Sequence, residues 1–223
     1  MNDVGRKTCA FREDVIVKLY HPDGIYVWDT WYWADNGEAH LVHLQTARPG
    51  NDSFDYAKGT LGHAVSKDLL HWETLPAIIP RGSDEEFDHD WIWTGCTVEH
   101  EGKKYLYYTS HSDRTCLEDI GLAMTEDNMH YEKLGRPVLS PDPKYYISRP
   151  EELNVYVHAS PRCVDCRDMC VVKDPKGNGW WGYFAARVFS ESAVETSVIG
   201  LAHSDDLIHW TQLPPCFAPK KFA

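Results

Sequence analysis

Apolar and polar residues alternate in short runs along most of this chain, and the runs come in pairs separated by turn residues. Tyr26 to Trp33 (YVWDTWYW) and Ala39 to Gln45 (AHLVHLQ) flank Asp35-Asn36-Gly37. Trp91 to Glu99 and Lys104 to Ser110 (KYLYYTS) flank Glu101-Gly102, and Cys166 to Lys173 and Trp180 to Val188 flank Asp174 to Gly179. Aromatic and β-branched runs around Gly-bearing turns are hairpin signals. After each hairpin comes the same segment: GHAVSKDLLHWETLP from Gly62, GLAMTEDNMHYEKLG from Gly121 and GLAHSDDLIHWTQLP from Gly200. Within it, G-x-A-x-S/T reads as a third strand. Ser/Thr-x-Asp then reads as a turn in which hydroxyl and carboxylate bond nearby amides, and His-Trp/Tyr opens a fourth strand.

A four-stranded antiparallel meander repeated at 59 and then 79 residues predicts an all-β propeller. The blades run over about 24–80, 90–140 and 164–215, within one domain over 1–223. Propellers close with typically four or more blades, so the domain reads as incomplete at its C-terminus, with blade faces open to self-association. The recurring Asp68, Asp127, Asp206, Trp72, Tyr131 and Trp210 are expected to be structural, because every blade needs them.

Composition narrows the chemistry. The chain has 223 residues, 43% hydrophobic, which excludes intrinsic disorder and allows a sizeable core. Nine Trp, 12 Tyr and 7 Phe suit sheets that stack on aromatic side chains. A net charge of −12 repels phosphate backbones and anionic lipid, so neither nucleic acid nor a membrane surface is an expected partner. No apolar run approaches a bilayer span, and residues 1–12 lack the apolar core of a signal peptide. As written the chain reads as cytoplasmic, or as secreted if a leader has been removed.

Seven Cys read as reduced thiols, and the cluster Cys163, Cys166 and Cys170 as small thiols buried in strands. Cys163, Cys166 and Cys170 with His158 lack the paired spacing of a zinc site, so no metal is assigned, and no cofactor is called for. The acidic loop Gly82 to Asp90 (GSDEEFDHD) holds Asp84, Asp88 and Asp90 but fits no standard calcium loop, and is read as a solvated rim.

Two carboxylates stand apart from the repeat. The first strand of a blade lines the central channel. Asp29 lies 11 residues before His40 in the first strand of blade one, and Asp168 lies 13 before Trp181 in that of blade three. Eleven back from Tyr105 in blade two is Thr94. A carboxylate demanded by blade architecture would recur in all three. Two Asp converging on one channel suit glycoside hydrolysis, which flanks an oxocarbenium-like centre with carboxylates.

GHAVSKDLLHWETLP, TGCTVEHEGKKYLYYTS and Arg167-Asp168 together resemble the five-bladed propeller glycoside hydrolases of families 32, 68 and 43. Gly62-His63-Ala64 and Gly95-Cys96 lean the resemblance toward family 32, where W-G-H-A and S-G-S motifs fall. The chain departs from that pattern at Trp28-Asp29-Thr30-Trp31, where the family has N-D-P-N-G, and at Leu61 and Met169.

The resemblance implies hydrolysis of fructosyl-type bonds in an oligo- or polysaccharide. The alternatives are a family 43-like arabinan or xylan hydrolase and a non-catalytic carbohydrate-binding propeller. It implies Asp29 as nucleophile (or as base, if the enzyme inverts) and Asp168 as transition-state stabiliser held by Arg167. Gln45, Trp93 and Thr94 are implied at the sugar. The family's acid, a Glu opening the fourth blade, has no counterpart in these residues. Glu151 and Glu152 sit in a polar connecting stretch unsuited to that role. Trp28, Trp31 and Trp33 read as one face of a strand, so at least one belongs to the core.

Overall fold

The computed structural model describes residues 20–48, 59–153, 163–189 and 195–218. Twelve strands among them form three four-stranded antiparallel sheets, each a meander in chain order. The first holds β1 (Ile25–Asp35), β2 (Glu38–Ala47), β3 (Thr60–Ser66) and β4 (Glu73–Ile79). The second holds β5 (Trp91–His100), β6 (Lys103–Ser112), β7 (Leu117–Thr125) and β8 (Glu132–Lys133). The third holds β9 (Cys166–Lys173), β10 (Trp180–Phe189), β11 (Glu195–Ser204) and β12 (Thr211–Phe217). The expected fourth strand of the middle unit shrinks to the two residues of β8. No helix among the described residues is long and apolar enough to cross a membrane.

The repeated turn forms the same way three times. In the first copy, the Ser66 hydroxyl accepts the amide of Leu69 at 2.8 Å, and Asp68 Oδ1 accepts those of Leu70 and His71 at 2.9 and 2.8 Å. Its other oxygen meets His71 Nδ1 at 2.7 Å. Asp127 and Asp206 make the same set with His130 and His209. These amides fall where strand pairing stops, so the carboxylate satisfies donors the ladder leaves open. The repeat is architectural.

Neighbouring sheets meet through their first strands, β1 against β5 and β5 against β9. Between the first and second sheets lie Val42, Leu44, Leu61, Ile92, Leu106 and Tyr108. Between the second and third lie Tyr107, Leu122, Met169, Trp180, Phe184 and Leu207. Leu61 and Met169, two departures from the family pattern, are thus core residues. Polar ties cross the same gaps: buried Lys104 reaches Asp35 at 3.1 Å, and Tyr107 donates to the Leu207 carbonyl at 2.6 Å.

Two expectations need correction. The loop at 82–90 is solvated at Ser83, Asp84 and Glu85 but not throughout, because Asp88 is completely buried. Its carboxylate accepts the Tyr108 hydroxyl at 2.7 Å and Lys133 Nζ at 2.9 and 3.1 Å. The described cysteines are all free, and of the cluster Cys163 and Cys166 are buried but Cys170 is exposed. Strand position alone does not bury a thiol. His158 lies outside the described residues. Among the described residues no group of three or more His, Cys, Asp or Glu is arranged to hold a metal ion.

Candidate active site

Each of the three first strands carries a bulge at the same height. In β1, Trp28 pairs with Leu44 and Thr30 with His43, leaving Asp29 as the extra residue. In β5, Trp93 pairs with Thr109 and Gly95 with Tyr108, leaving Thr94. In β9, Arg167 pairs with Ala185 and Cys170 with Tyr183, so Asp168 and Met169 face Phe184 together. The bulge explains an odd spacing. Trp28 and Trp31 would point to opposite faces of a regular strand, but the extra residue between them restores the phase. Both pack, with Trp33, on one cluster.

A bulge re-aims the side chain it carries. Asp29 and Asp168 adopt left-handed backbone, with φ of 37° and 57°, a conformation that costs a non-glycine residue of order 1 kcal/mol or more. Both line one cavity of ≈ 490 Å³, with Arg167, Leu44 and the indoles of Trp28, Trp91 and Trp93. Aromatic walls around a few converging polar groups suit a sugar ring, which has apolar faces and a polar rim.

Arg167 is fixed from behind. Its Nη1 donates to Asp165 at 2.7 Å and to Glu118 at 2.9 Å, and Nε lies 3.6 Å from Asp168 Oδ2. Asp165 also receives Arg187, and Glu118 accepts the Cys166 amide at 3.2 Å. Burial pushes the Asp168 carboxyl above the usual carboxylate range. Arg167 pulls it back, while Glu118 and Asp29 push it further up.

Of the residues singled out from sequence, Asp29, Trp93, Arg167 and Asp168 line the cavity, while Gln45 and Thr94 are not among its lining residues. Gln45 lies in β2 opposite Val27 and Thr60. Its carboxamide borders Gly62, where a Cβ would meet Oε1 at 2.4 Å. Trp28, Leu44 and Trp91 line the cavity without having been predicted to. Trp91 is held there by Asp113, which accepts its indole N–H at 2.9 Å. A tryptophan opening an inner strand was the available signal for it. Glu152 is engaged locally, accepting the amides of Ser148 and Arg149 at 2.9 and 3.1 Å. Its carboxyl is held below the ordinary range, the Ser148 amide being the largest cause, which is the wrong direction for a proton donor.

Residues 32–150 match the N-terminal domain of glycosyl hydrolases family 32. Over 80 residues, 33% of this chain, identity to a sucrose-6-phosphate hydrolase of Zymomonas mobilis is 39%, covering 15% of that protein. Over 64 residues, 28% of this chain, identity to an acid beta-fructofuranosidase of Solanum lycopersicum is 42%, covering 10% of it. Among solved structures, fructan 1-exohydrolase IIa from Cichorium intybus superposes with a TM-score of 0.67 at 18% identity, over 89% of this chain and 34% of that one. A sucrose-6-phosphate hydrolase from Lactobacillus gasseri superposes at 0.62 and 21% identity, over 83% and 33%. The chain therefore spans about a third of the length of these two solved enzymes. The matched span 32–150 contains Gln45, Trp93 and Thr94, while Asp29, Arg167 and Asp168 lie outside it.

Proposed function

The chain belongs to glycosyl hydrolases family 32, and from that membership we propose that the protein hydrolyses fructosyl-type O-glycosidic bonds of the sucrose or fructan kind. The observation that carries the reading is the pair of carboxylates, Asp29 and Asp168, brought from two sheets on left-handed bulges into one Trp-walled cavity. In this reading an Asp29 oxygen attacks the anomeric carbon as the bond to the leaving oxygen breaks. Water then releases the sugar from the resulting ester. Asp168 stabilises the positive charge of the transition state and accepts sugar hydroxyls, with Arg167 fixing its direction. Trp93 stacks on the ring, while Gln45 and Thr94, outside the lining of the cavity, are assigned no contact with it.

Three sheets are fewer than a closed ring requires. The proposal therefore includes further blades from additional chain, and with them the acid that protonates the leaving oxygen. Exposed Val172, Ile199 and Phe217 of the third sheet are where a following blade would pack, or a second copy in its absence.

The test uses the full-length protein with sucrose, inulin, arabinan and xylo-oligosaccharides. Asp29→Asn is expected to remove nearly all turnover with the fold intact, because an amide is neither nucleophile nor base. Asp168→Asn is expected to lower kcat by roughly 10²-fold or more, since its bonds matter most in the transition state. Near-normal hydrolysis by either variant, or binding without turnover by the parent, refutes the assignment.

A further inference from the structure

Asp168 is held in its left-handed bulge by a residue of another sheet. Thr109, fully buried on β6, accepts the Asp168 amide at 2.9 Å. The same hydroxyl donates to the carbonyl of Thr94 at 3.0 Å. One side chain thus joins the bulge of β5 to the bulge of β9. A bulged residue drops out of its own ladder, leaving its amide in need of another acceptor. Here that acceptor is a single hydroxyl, and its direction fixes the peptide that carries the Asp168 carboxylate.

The blade itself does not require this hydroxyl. In each sheet the residue paired just before the bulge can be read from the register: Leu44 opposite Trp28, Thr109 opposite Trp93, and Ala185 opposite Arg167. Two of the three equivalent places are apolar. A threonine needed only to build the sheet would have no reason to appear in the middle one alone. The Thr109 hydroxyl appears where a neighbouring bulge carries an aspartate into the cavity.

We propose that Thr109 is a positioning residue for Asp168, acting on catalysis through the Asp168 backbone without touching substrate. The proposal rests on the function argued above. Small displacements of a reacting group cost rate steeply, on the order of 10²-fold per ångström. The test measures kcat and KM on sucrose in the full-length protein for Thr109→Val, Thr109→Ser, Asp168→Asn and the Thr109→Val/Asp168→Asn double variant, with thermal melts alongside. Thr109→Val is expected to lower kcat roughly tenfold or more with a much smaller change in KM. Thr109→Ser, which restores the hydroxyl, is expected to recover most of it. In the Asp168→Asn background, Thr109→Val is expected to cost little more, because the group it positions is already disabled. If Thr109→Val is too unstable to assay, Thr109→Ala takes its place in the same cycle. Unchanged kcat in the variant lacking the hydroxyl, failure of the serine variant to recover, or an equal loss with and without Asp168 overturns the inference. Full activity in Asp168→Asn instead overturns the function on which it rests.

Discussion

Replacing Lys133 with Met should destabilise this protein far more than a place on a two-residue strand suggests. Lys133 Nζ sits 2.9 Å from an oxygen of Asp88, whose side chain is 1% exposed. Among the described residues the same carboxylate also accepts the Tyr108 hydroxyl, at 2.7 Å. Methionine keeps most of the aliphatic stem but removes the ammonium, leaving a buried anion without its counter-charge. Glu86, 4.0 Å from Lys133, makes matters worse as a second negative group. Breaking one partner of a buried pair costs about 3–5 kcal/mol. For a domain of this size each kcal/mol moves Tm by about 2–4 °C, so a fall of roughly 10 °C is expected. The assay is urea unfolding followed by tryptophan fluorescence, for Lys133→Met, Asp88→Asn and the two combined. The double variant should recover most of the loss, because asparagine is neutral and still accepts the Tyr108 hydroxyl. A Lys133→Met protein within about 1 kcal/mol of the parent, the size of an ordinary surface effect, would refute the reasoning. So would a double variant no more stable than Lys133→Met.

Two further outcomes are expected from ionisation. His63 stands 3.0 Å from His40, with Trp33 stacked on both, and burial lowers its pKa from 6.5 to about 4. Both states are neutral above the unfolded value. As pH falls through that window the unfolded chain takes a proton the folded chain refuses, so stability is lost between 6.5 and about 4, by about 3 kcal/mol at most. His63→Gln should flatten that slope in urea midpoints measured across the window, and an unchanged slope would refute the assignment. Asp168, by contrast, is pushed up by burial, so its charge opposes folding once pH exceeds the unfolded carboxylate value. Asp168→Asn should therefore raise Tm at neutral pH while lowering turnover, and the gain should vanish in acid below that value. A lower Tm at neutral pH would show that the ion pair with Arg167 outweighs burial.

The sheets were legible in the sequence because strand alternation, Gly-bearing turns and the Ser/Thr-x-Asp-x-x-His motif are local instructions. Each is executed within a few residues, as the three identical carboxylate turns at Asp68, Asp127 and Asp206 demonstrate. Counting along the repeat even placed Asp29, Thr94 and Asp168 at equivalent heights, and all three prove to be bulged residues. A bulge leaves a trace in spacing, as the Trp28-to-Trp31 interval does.

Partnership between distant segments leaves no such trace. Asp88 sits in an acidic, polar-looking loop, and only the approach of Lys133 and Tyr108 from the second sheet lets its charge be buried. Trp91 reads as one more strand aromatic until Asp113 turns its indole toward the cavity rim. Thr109 ends a KYLYYT run that reads only as a strand, and its bond to Asp168 exists only because β6 and β9 pack together. Periodicity determines which face of a strand a side chain occupies. Which hydroxyl, carboxylate or indole waits on the facing sheet is decided when the sheets pack, because a polar group is buried cheaply only where the chain happens to bring it a partner.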